Sequence, residues 1–230
     1  MIFSTAEMAI VALSLKVAFT ATLVSLPFAI AMAWALARGR FIGKPLLNIL
    51  IHLPLVMPPV VTGYALLALF GKQGPIGEAL DAIFGISIAF RWTGAALAAA
   101  IMGFPLMVRA IRLGLDAVDR GLEDAAATLG ASRWAVFWHV TLPLISPGLL
   151  AGAVLGFAKA MGEFGATITF VASIPGETET LPSAIYTLLQ VPGGEDAALR
   201  LIVLSVVVSI AALALSEIFA RRAARKVAGL

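Results

Sequence analysis

The 230-residue sequence contains no cysteine, and only 13% of its residues are charged. Without cysteine, disulfide bonds and thiolate-ligated metals are excluded. Soluble domains carry about a quarter charged residues, so the shortage of charge excludes an ordinary soluble domain. Hydrophobic residues make up 61% and the mean hydropathy is +1.02, which is more apolar surface than a chain of this length can bury against itself. We therefore expect an integral membrane protein.

Motifs for common catalytic chemistries are also missing. The chain has no GxxxxGK[ST] phosphate loop, no HExxH metal pair and no GxSxG nucleophile elbow. We therefore predict that it is not an enzyme and does not hydrolyse ATP itself. No cofactor, metal or nucleic-acid partner is predicted. No internal repeat is visible, which disfavours a secondary transporter built from inverted repeats.

Five apolar segments predict an all-α fold in a single membrane domain, residues 1–230. The segments lie at about residues 8–37, 46–70, 93–108, 144–161 and 199–220. The first has no basic residue before it and is too long for a signal-peptide core, so we expect a retained transmembrane helix. Contact with membrane lipid follows from the composition.

Basic residues divide unevenly between the segments that connect these spans. Of the 16 Lys and Arg residues, eleven fall on one side of the predicted membrane and two, Lys16 and Lys159, fall within spans. The other three, Lys72, Arg91 and Arg200, fall on the opposite side. Short loops rich in Lys and Arg stay in the cytoplasm. The asymmetry predicts a multi-pass protein whose N-terminus is outside and whose C-terminus is cytoplasmic.

The longest polar stretch between apolar segments is residues 119–143. Asp119 is a favourable N-cap, and Glu123 and Asp124 place negative charge on the first turn of the helix that follows. Gly130 supplies a left-handed stop for that helix.

A second short helix is predicted within the same stretch. Ser132 can cap it, we expect it to run from Arg133 to Val140, and Leu142-Pro143 should end it. Two short helices joined at a glycine form what we call the elbow (residues 119–143). Such a shape suits insertion into a groove on another protein.

The elbow resembles the EAA loop found in permease subunits of bacterial ABC importers. The resemblance rests on Glu123, Ala125, Ala126 and Gly130 and on the Leu-Pro pair that follows; Asp124 stands where that family usually has alanine. In the family, this loop docks a cytoplasmic ATPase subunit. The resemblance thus implies that the docking surface consists of Glu123, Asp124, Ala125, Ala126, Gly130, Ala131, Ser132, Arg133 and Trp134. An ordinary amphipathic loop is the alternative.

Three further stretches extend the resemblance to the molybdate branch of these permeases: HLPLVMPPVVTGYALL, TLPL and GEFGATITFVASIPGET. The resemblance implies a type I ABC importer fold in the bacterial inner membrane. It also implies a homodimer, two ATPase subunits and a periplasmic oxyanion-binding protein, which together import molybdate, and also tungstate, by alternating access. Sulfate and thiosulfate permeases share the EAA loop and a similar Glu-Phe-Gly element, so they remain an alternative. A secondary transporter or channel, and a non-transporting assembly factor, are alternatives of other classes.

Two places where a helix should break at membrane depth are candidates for the translocation pathway, because freed backbone groups there must meet protein or water. Pro58 and Pro59 mark the first, where a kinked packing helix is the alternative. The second follows a ridge of small residues at 148, 152, 156 and 160. Its candidate residues are Gly162, Glu163, Gly165, Thr167 and Thr169. We expect Glu163 to pair with Lys159 one turn earlier; direct contact with substrate is the alternative.

Overall fold

The structure is a computed structural model that describes residues 4–227, without the side chains of residues 215–217 and 219–227. The described residues form α-helices and one π-helical turn, with no strand among them. The first six helices are α1 (Thr5–Arg38), α2 (Lys44–Val56), α3 (Pro59–Phe70), α4 (Pro75–Phe84), α5 (Trp92–Ala117) and α6 (Arg120–Thr128). The other six are α7 (Arg133–Val136), α8 (Leu142–Leu144), α9 (Ser146–Met161), α10 (Gly165–Val171), α11 (Leu181–Leu189) and α12 (Glu195–Val227). The predicted all-α class is confirmed.

Three helices are long and apolar enough to cross a membrane by themselves: α1, α5 and the part of α12 from Glu195 to Ala214. Two bent pairs pass the same test of length and composition, so the described residues hold up to five spans. One pair is α2 with α3, which meet at 112°. The other joins the segment Arg133–Leu144 to α9 at 68°. The basic side chains at the end of α12, predicted to face the cytoplasm, lie outside the described side chains.

The second apolar segment breaks at its prolines, as one of its two interpretations predicts, and is not a single kinked helix. Helix α2 ends with Met57 as its C-cap, and α3 starts at Pro59 in a new direction. Proline lacks an N–H and disfavours helical backbone in the residue before it, so two consecutive prolines end one helix and open the next. The prolines therefore produce a break rather than a kink.

Helix α5 runs to Ala117, well beyond residue 108, where the third predicted span ends. Arginine is a good helix former, and Arg112 pairs with Asp116 one turn later at 3.6 Å. Arg109 and Arg112 follow directly after the predicted span. They do not mark the end of the helix, because the polar part of α5 continues as helix.

The core forms where α1, α5 and α9 pack along one another. The small-residue ridge of α9 faces α5: a Cβ on Gly148 would lie 3.1 Å from the Cα of Gly114. A Cβ on Gly152 would lie 3.1 Å from the carbonyl oxygen of Met107. Side chains at these glycines would push the backbones apart, so the ridge serves close helix packing, as predicted.

Two contacts on the predicted external side join α1 to other helices. The hydroxyl of Ser14 accepts a hydrogen bond from the backbone N–H of Leu181, at the start of α11 (2.7 Å). Near the beginning of α1, Glu7 pairs with Arg200 of α12 at 2.8 Å. Lys16 of α1 lies over the ring of Trp92 of α5, with its Nζ 3.7 Å from the ring centroid.

Candidate functional site

The elbow adopts the two capped helices and the left-handed glycine that its sequence predicts. Asp119 accepts a hydrogen bond from the N–H of Gly121 (2.8 Å) and caps α6. Ser132 accepts from the N–H of Ala135 (3.2 Å) and caps α7. Between them Gly130 has a φ of +89°, and a Cβ there would have no heavy atom within 4 Å. The glycine is therefore needed for its backbone angle and not for space.

The end of the elbow differs from the prediction that a helix from Arg133 to Val140 stops at Leu142-Pro143. Helix α7 passes into a π-helical turn, Phe137–Thr141, which continues directly into α8. The bend comes later, at Ile145 between α8 and α9. Pro143 lies in the first turn of α8, directly after the π-helical turn. The proline therefore starts a helical piece instead of ending one.

Most of the predicted docking residues lie on the outside of the protomer. Those that are exposed are Asp124, Ala125, Gly130, Ser132, Arg133 and Trp134, whereas Ala126 and Ala131 are half-buried. Large apolar side chains lie beside them: Leu129 is 90% exposed, Trp134 73% and Trp138 57%. Exposed apolar groups clustered on a polar segment are typical of a protein interaction surface.

Glu123 does not share that exposure. One carboxylate oxygen lies 3.2 Å from Nη2 of Arg38, at the C-terminal end of α1. The other accepts a hydrogen bond from the hydroxyl of Thr141 (2.7 Å). The side chains of Arg38 and Glu123 are only 12% and 21% exposed. The first acidic residue of the predicted docking motif therefore points into its own subunit.

A groove of about 1010 Å³ separates the rest of the elbow from α1. Its walls are mostly apolar and include Pro27, Ile30 and Trp34 of α1, and Trp134, Phe137 and Trp138 of the elbow. Arg38 and Glu123 also border it. The ion pair of Arg38 and Glu123 is thus a polar contact at the border of a mostly apolar groove.

The two predicted helix breaks come together in the structure. A Cβ on Gly165 would lie 2.7 Å from the Cβ of Pro59, and a Cβ on Gly63 would lie 2.5 Å from the carbonyl oxygen of Ala166. Helices α3 and α10 are therefore in backbone contact at these glycines. Pro58 and Pro59 themselves are exposed on the protomer surface. Within the protomer, Gly165 allows close packing against Pro59.

Glu163 stabilises the second helix break through two contacts. Lys159 of α9 approaches one of its carboxylate oxygens at 2.5 Å, which is the expected ion pair. The other oxygen accepts from the N–H of Ala166, in the first turn of α10 (3.0 Å). The Glu163 side chain is 1% exposed, so its charge is compensated by Lys159 and by the amide. The carboxylate thereby joins α9 to α10 across Gly162.

The two predicted threonines differ in their surroundings. The hydroxyl of Thr169 donates to the carbonyl oxygen of Gly165 within α10 (2.9 Å), whereas Thr167 is buried. Contact of either with an anion stays a prediction. No group of three or more His, Asp or Glu residues able to hold a metal occurs in the part of the chain that the structure describes.

Sequence reasoning missed Arg38, Thr141 and Gly63 as site residues. Arg38 was treated only as a charge that marks the membrane side, and Thr141 only as part of the elbow. Gly63 follows Pro59 by one helical turn, so both lie on one face of α3; this spacing was the available signal. For Arg38 no local signal names a partner, because Glu123 lies far away in the chain.

Three bacterial proteins are similar to this chain over most of its length. "Molybdenum transport system permease protein ModB" of Escherichia coli (strain K12) is 58% identical over 221 residues, 96% of both chains. The protein of the same name from Haemophilus influenzae is 53% identical over 220 residues, again 96% of both. "Sulfate transport system permease protein CysT" of Escherichia coli (strain K12) is 41% identical over 173 residues, 75% of this chain and 62% of that protein.

Solved structures with the same fold include a bacterial ABC transporter involved in the import of the acidic polysaccharide alginate. Its matching chain has a TM-score of 0.77 and 17% identity, over 96% of this chain and 80% of that one. The same transporter in complex with its pentasaccharide-bound periplasmic protein matches with a TM-score of 0.75 and 17% identity, over 95% and 80%. At this identity the likeness concerns the fold alone, and it confirms the predicted type I importer fold.

The family described as "Binding-protein-dependent transport system inner membrane component" matches residues 25–225. That range includes the elbow, both helix breaks and four of the five predicted spans entirely. The relatives that match over nearly the full length of the chain agree with this family. The chain belongs to the family of binding-protein-dependent transport system inner membrane components.

Proposed function

We propose that this chain is the membrane-spanning subunit of an ATP-driven importer that carries molybdate, and also tungstate, into the cytoplasm. The observation that carries the proposal is the 58% identity to a molybdenum permease over 96% of both chains. The sulfate permease is less similar, and its match covers only 62% of its own length. Sulfate or thiosulfate import is therefore the second candidate.

Two cytoplasmic ATPase subunits bind this chain and a second copy of it, one at each elbow. The support is the exposed apolar surface around Leu129 and Trp134, whose large side chains suit a groove on a partner. The chain has no phosphate-binding loop, so ATP is hydrolysed on those partner subunits. Closure of the ATPases would move the elbows and switch the pathway between its inward-open and outward-open forms.

The anion, received from a periplasmic binding protein, passes where the two helix breaks meet, beside the second copy. Support comes from the exposed prolines 58 and 59, which lie on the surface next to the contact between Gly165 and α3. Broken helices expose backbone groups that must meet protein or water, and the interface between two copies provides both. Gly162, Thr167 and Thr169 would offer weak contacts, which suit rapid release.

Uptake of labelled molybdate by vesicles that contain the purified complex tests the proposal. We expect molybdate to accumulate only when ATP and the loaded binding protein are present. Excess tungstate should reduce this uptake by competition, whereas excess sulfate should not. Complexes with a hydrolysis-deficient ATPase subunit are the control. Uptake without ATP would indicate a secondary transporter or channel, and equal competition by sulfate would favour the second candidate. A complex that forms but moves no oxyanion would favour an assembly factor.

The proposed orientation has the N-terminus outside and the C-terminus in the cytoplasm. Its support is the distribution of Lys and Arg residues along the chain. A reporter enzyme that works only in the periplasm should be active when inserted near Gly193 and silent when fused after Ala220. The reverse pattern would contradict this orientation.

A further inference from the structure

We propose that Arg38 is a positioning residue that fastens α1 to the elbow, so that α1 carries elbow movement to the external side of the membrane. The inference deepens the proposed function, since it assumes that an ATPase subunit moves the elbow. It assigns a role to a residue outside the predicted docking surface and to a helix outside the predicted pathway.

The link at the cytoplasmic end is compact and largely buried. Arg38 and Glu123 are 3.2 Å apart, and Thr141 holds the second carboxylate oxygen of Glu123 at 2.7 Å. Nε and Nη2 of Arg38 are buried without a hydrogen-bond partner among the described residues, so Nη2 and Glu123 interact as an ion pair at 3.2 Å and not through a hydrogen bond. An ion pair shielded from water is stronger than an exposed one and costs more to break.

This ion pair connects α1 directly to the elbow. The groove of about 1010 Å³ lies between α1 and the elbow side chains Trp134 and Trp138. Movement of the elbow can therefore reach α1 through the ion pair, whereas it reaches α9 through the continuous chain of α8. Without the pair, movement of the elbow would reach α1 only through the packing of α1 on α5 and α9.

The external end of α1 is held as well. Glu7 pairs with Arg200 of α12, and Ser14 accepts a hydrogen bond from the N–H of Leu181 in α11. Helix α1 has 34 residues, and at 1.5 Å per residue it is about 50 Å long. Because α1 is held at both ends by specific polar contacts, a shift at its elbow end can be transmitted to α11 and α12 at its external end.

The absence of native cysteine allows a test that needs no cargo. Met8, 51% exposed near the external end of α1, is replaced by cysteine, and its labelling rate by an impermeant thiol reagent is measured in the intact complex. With the linked helix we expect the rate to change by about fivefold between nucleotide-free and ATP-analogue-bound complexes. Arg38→Gln should bring the two rates within about 1.5-fold of each other, because the coupling free energy is lost.

Three further variants in the same background separate positioning from stability. Arg40→Gln removes an exposed cation two residues away and should leave the nucleotide response intact. Arg38→Lys keeps a charge at the pair and should restore most of the response. Glu123→Gln keeps an acceptor for Thr141 but removes the charge, and should lose the response as Arg38→Gln does.

The amounts of ATP hydrolysed and molybdate moved provide the second readout. Arg38→Gln should raise the ATP consumed per molybdate by about fivefold, while the ATPase subunits stay bound. An unchanged labelling response together with an unchanged ATP ratio would overturn the inference. Loss of the ATPase subunits from Glu123→Gln alone would also overturn it, because Glu123 would then dock directly. Failure of wild-type vesicles to take up molybdate would contradict the proposed function but leave the labelling result intact.

Discussion

Glycine serves two different purposes in the elbow and in the membrane part of this protein. Gly130 in the elbow has a φ of +89° and open space around it. Gly63 in α3 has ordinary helical backbone, but a Cβ would lie 2.5 Å from the Ala166 carbonyl oxygen and 2.9 Å from the Ala166 Cα. Gly130 is required because its backbone adopts a left-handed φ, whereas Gly63 is required because the backbone of Ala166 leaves no room for a side chain.

The same contrast extends to the segments around them. Helices α3 and α10, like α5 and α9, touch through their backbones and are held at fixed distances. The elbow is separated from α1 by a groove and connected through the pair of Arg38 and Glu123. Close packing suits helices that must move together as one rigid body. A single polar link suits two parts that must pass on a displacement while keeping some freedom to move relative to each other.

The largest expected effect comes from breaking the membrane contact. Gly63→Leu would place side-chain atoms where the backbone of α10 lies, and backbone cannot move aside as a flexible side chain can. We expect a loss of about 3 kcal/mol or more, seen as a low yield of monodisperse protein and a lower unfolding temperature in detergent. Ala65→Leu, at an exposed position of the same helix, is the matched control and should behave like the wild type. Normal yield of Gly63→Leu would mean that α3 and α10 are not in contact.

A smaller effect is expected at the carboxylate that joins α9 to α10. Glu163→Gln keeps an oxygen for the N–H of Ala166 but leaves Lys159 without its partner. We expect a loss of about 2 kcal/mol, measured as a lower unfolding temperature, and substantial recovery in the double variant with Lys159→Met. If Glu163 instead forms an electrostatic barrier to the anion, stability would stay normal and the kinetics of uptake would change.

The i,i+4 pair of Arg112 and Asp116 is the natural control for that variant. Its side chains are 37% and 48% exposed, against 29% and 1% for Lys159 and Glu163. Asp116→Asn should therefore shift stability by less than about 0.5 kcal/mol, because water screens an exposed pair. Equal losses in Asp116→Asn and Glu163→Gln would mean that burial of Glu163 is unimportant.

At the elbow glycine, the expected effect is local and concerns coupling to ATP hydrolysis more than global stability. Gly130→Val forces a β-branched residue into left-handed backbone, which costs about 1–2 kcal/mol locally, whereas Gly130→Asn tolerates that conformation better. The valine variant should insert normally but consume more ATP per molybdate than the asparagine variant. Equal and normal coupling in both would show that the angle between α6 and α7 does not matter for docking.

The elbow was predictable because its determinants are local. Asp119 and Ser132 cap helices that begin one residue later, and Gly130 ends a helix through its own φ. The ion pair of Lys159 and Glu163 was predictable for the same reason, since one helical turn separates the two. The inward direction of Glu123 was not, because a motif does not tell which side of a short helix faces its own subunit.

Hydropathy, charge and nearest-neighbour spacing by themselves determined that the protein is helical, lies in a membrane and carries a polar elbow between its apolar segments. These properties depend on solvation and on hydrogen bonds between residues close in the chain. Only the tertiary structure decided that Gly63 meets Ala166, that Gly165 meets Pro59 and that Arg38 meets Glu123. Those contacts join residues far apart in the chain, so they depend on how whole helices pack, which no local pattern encodes.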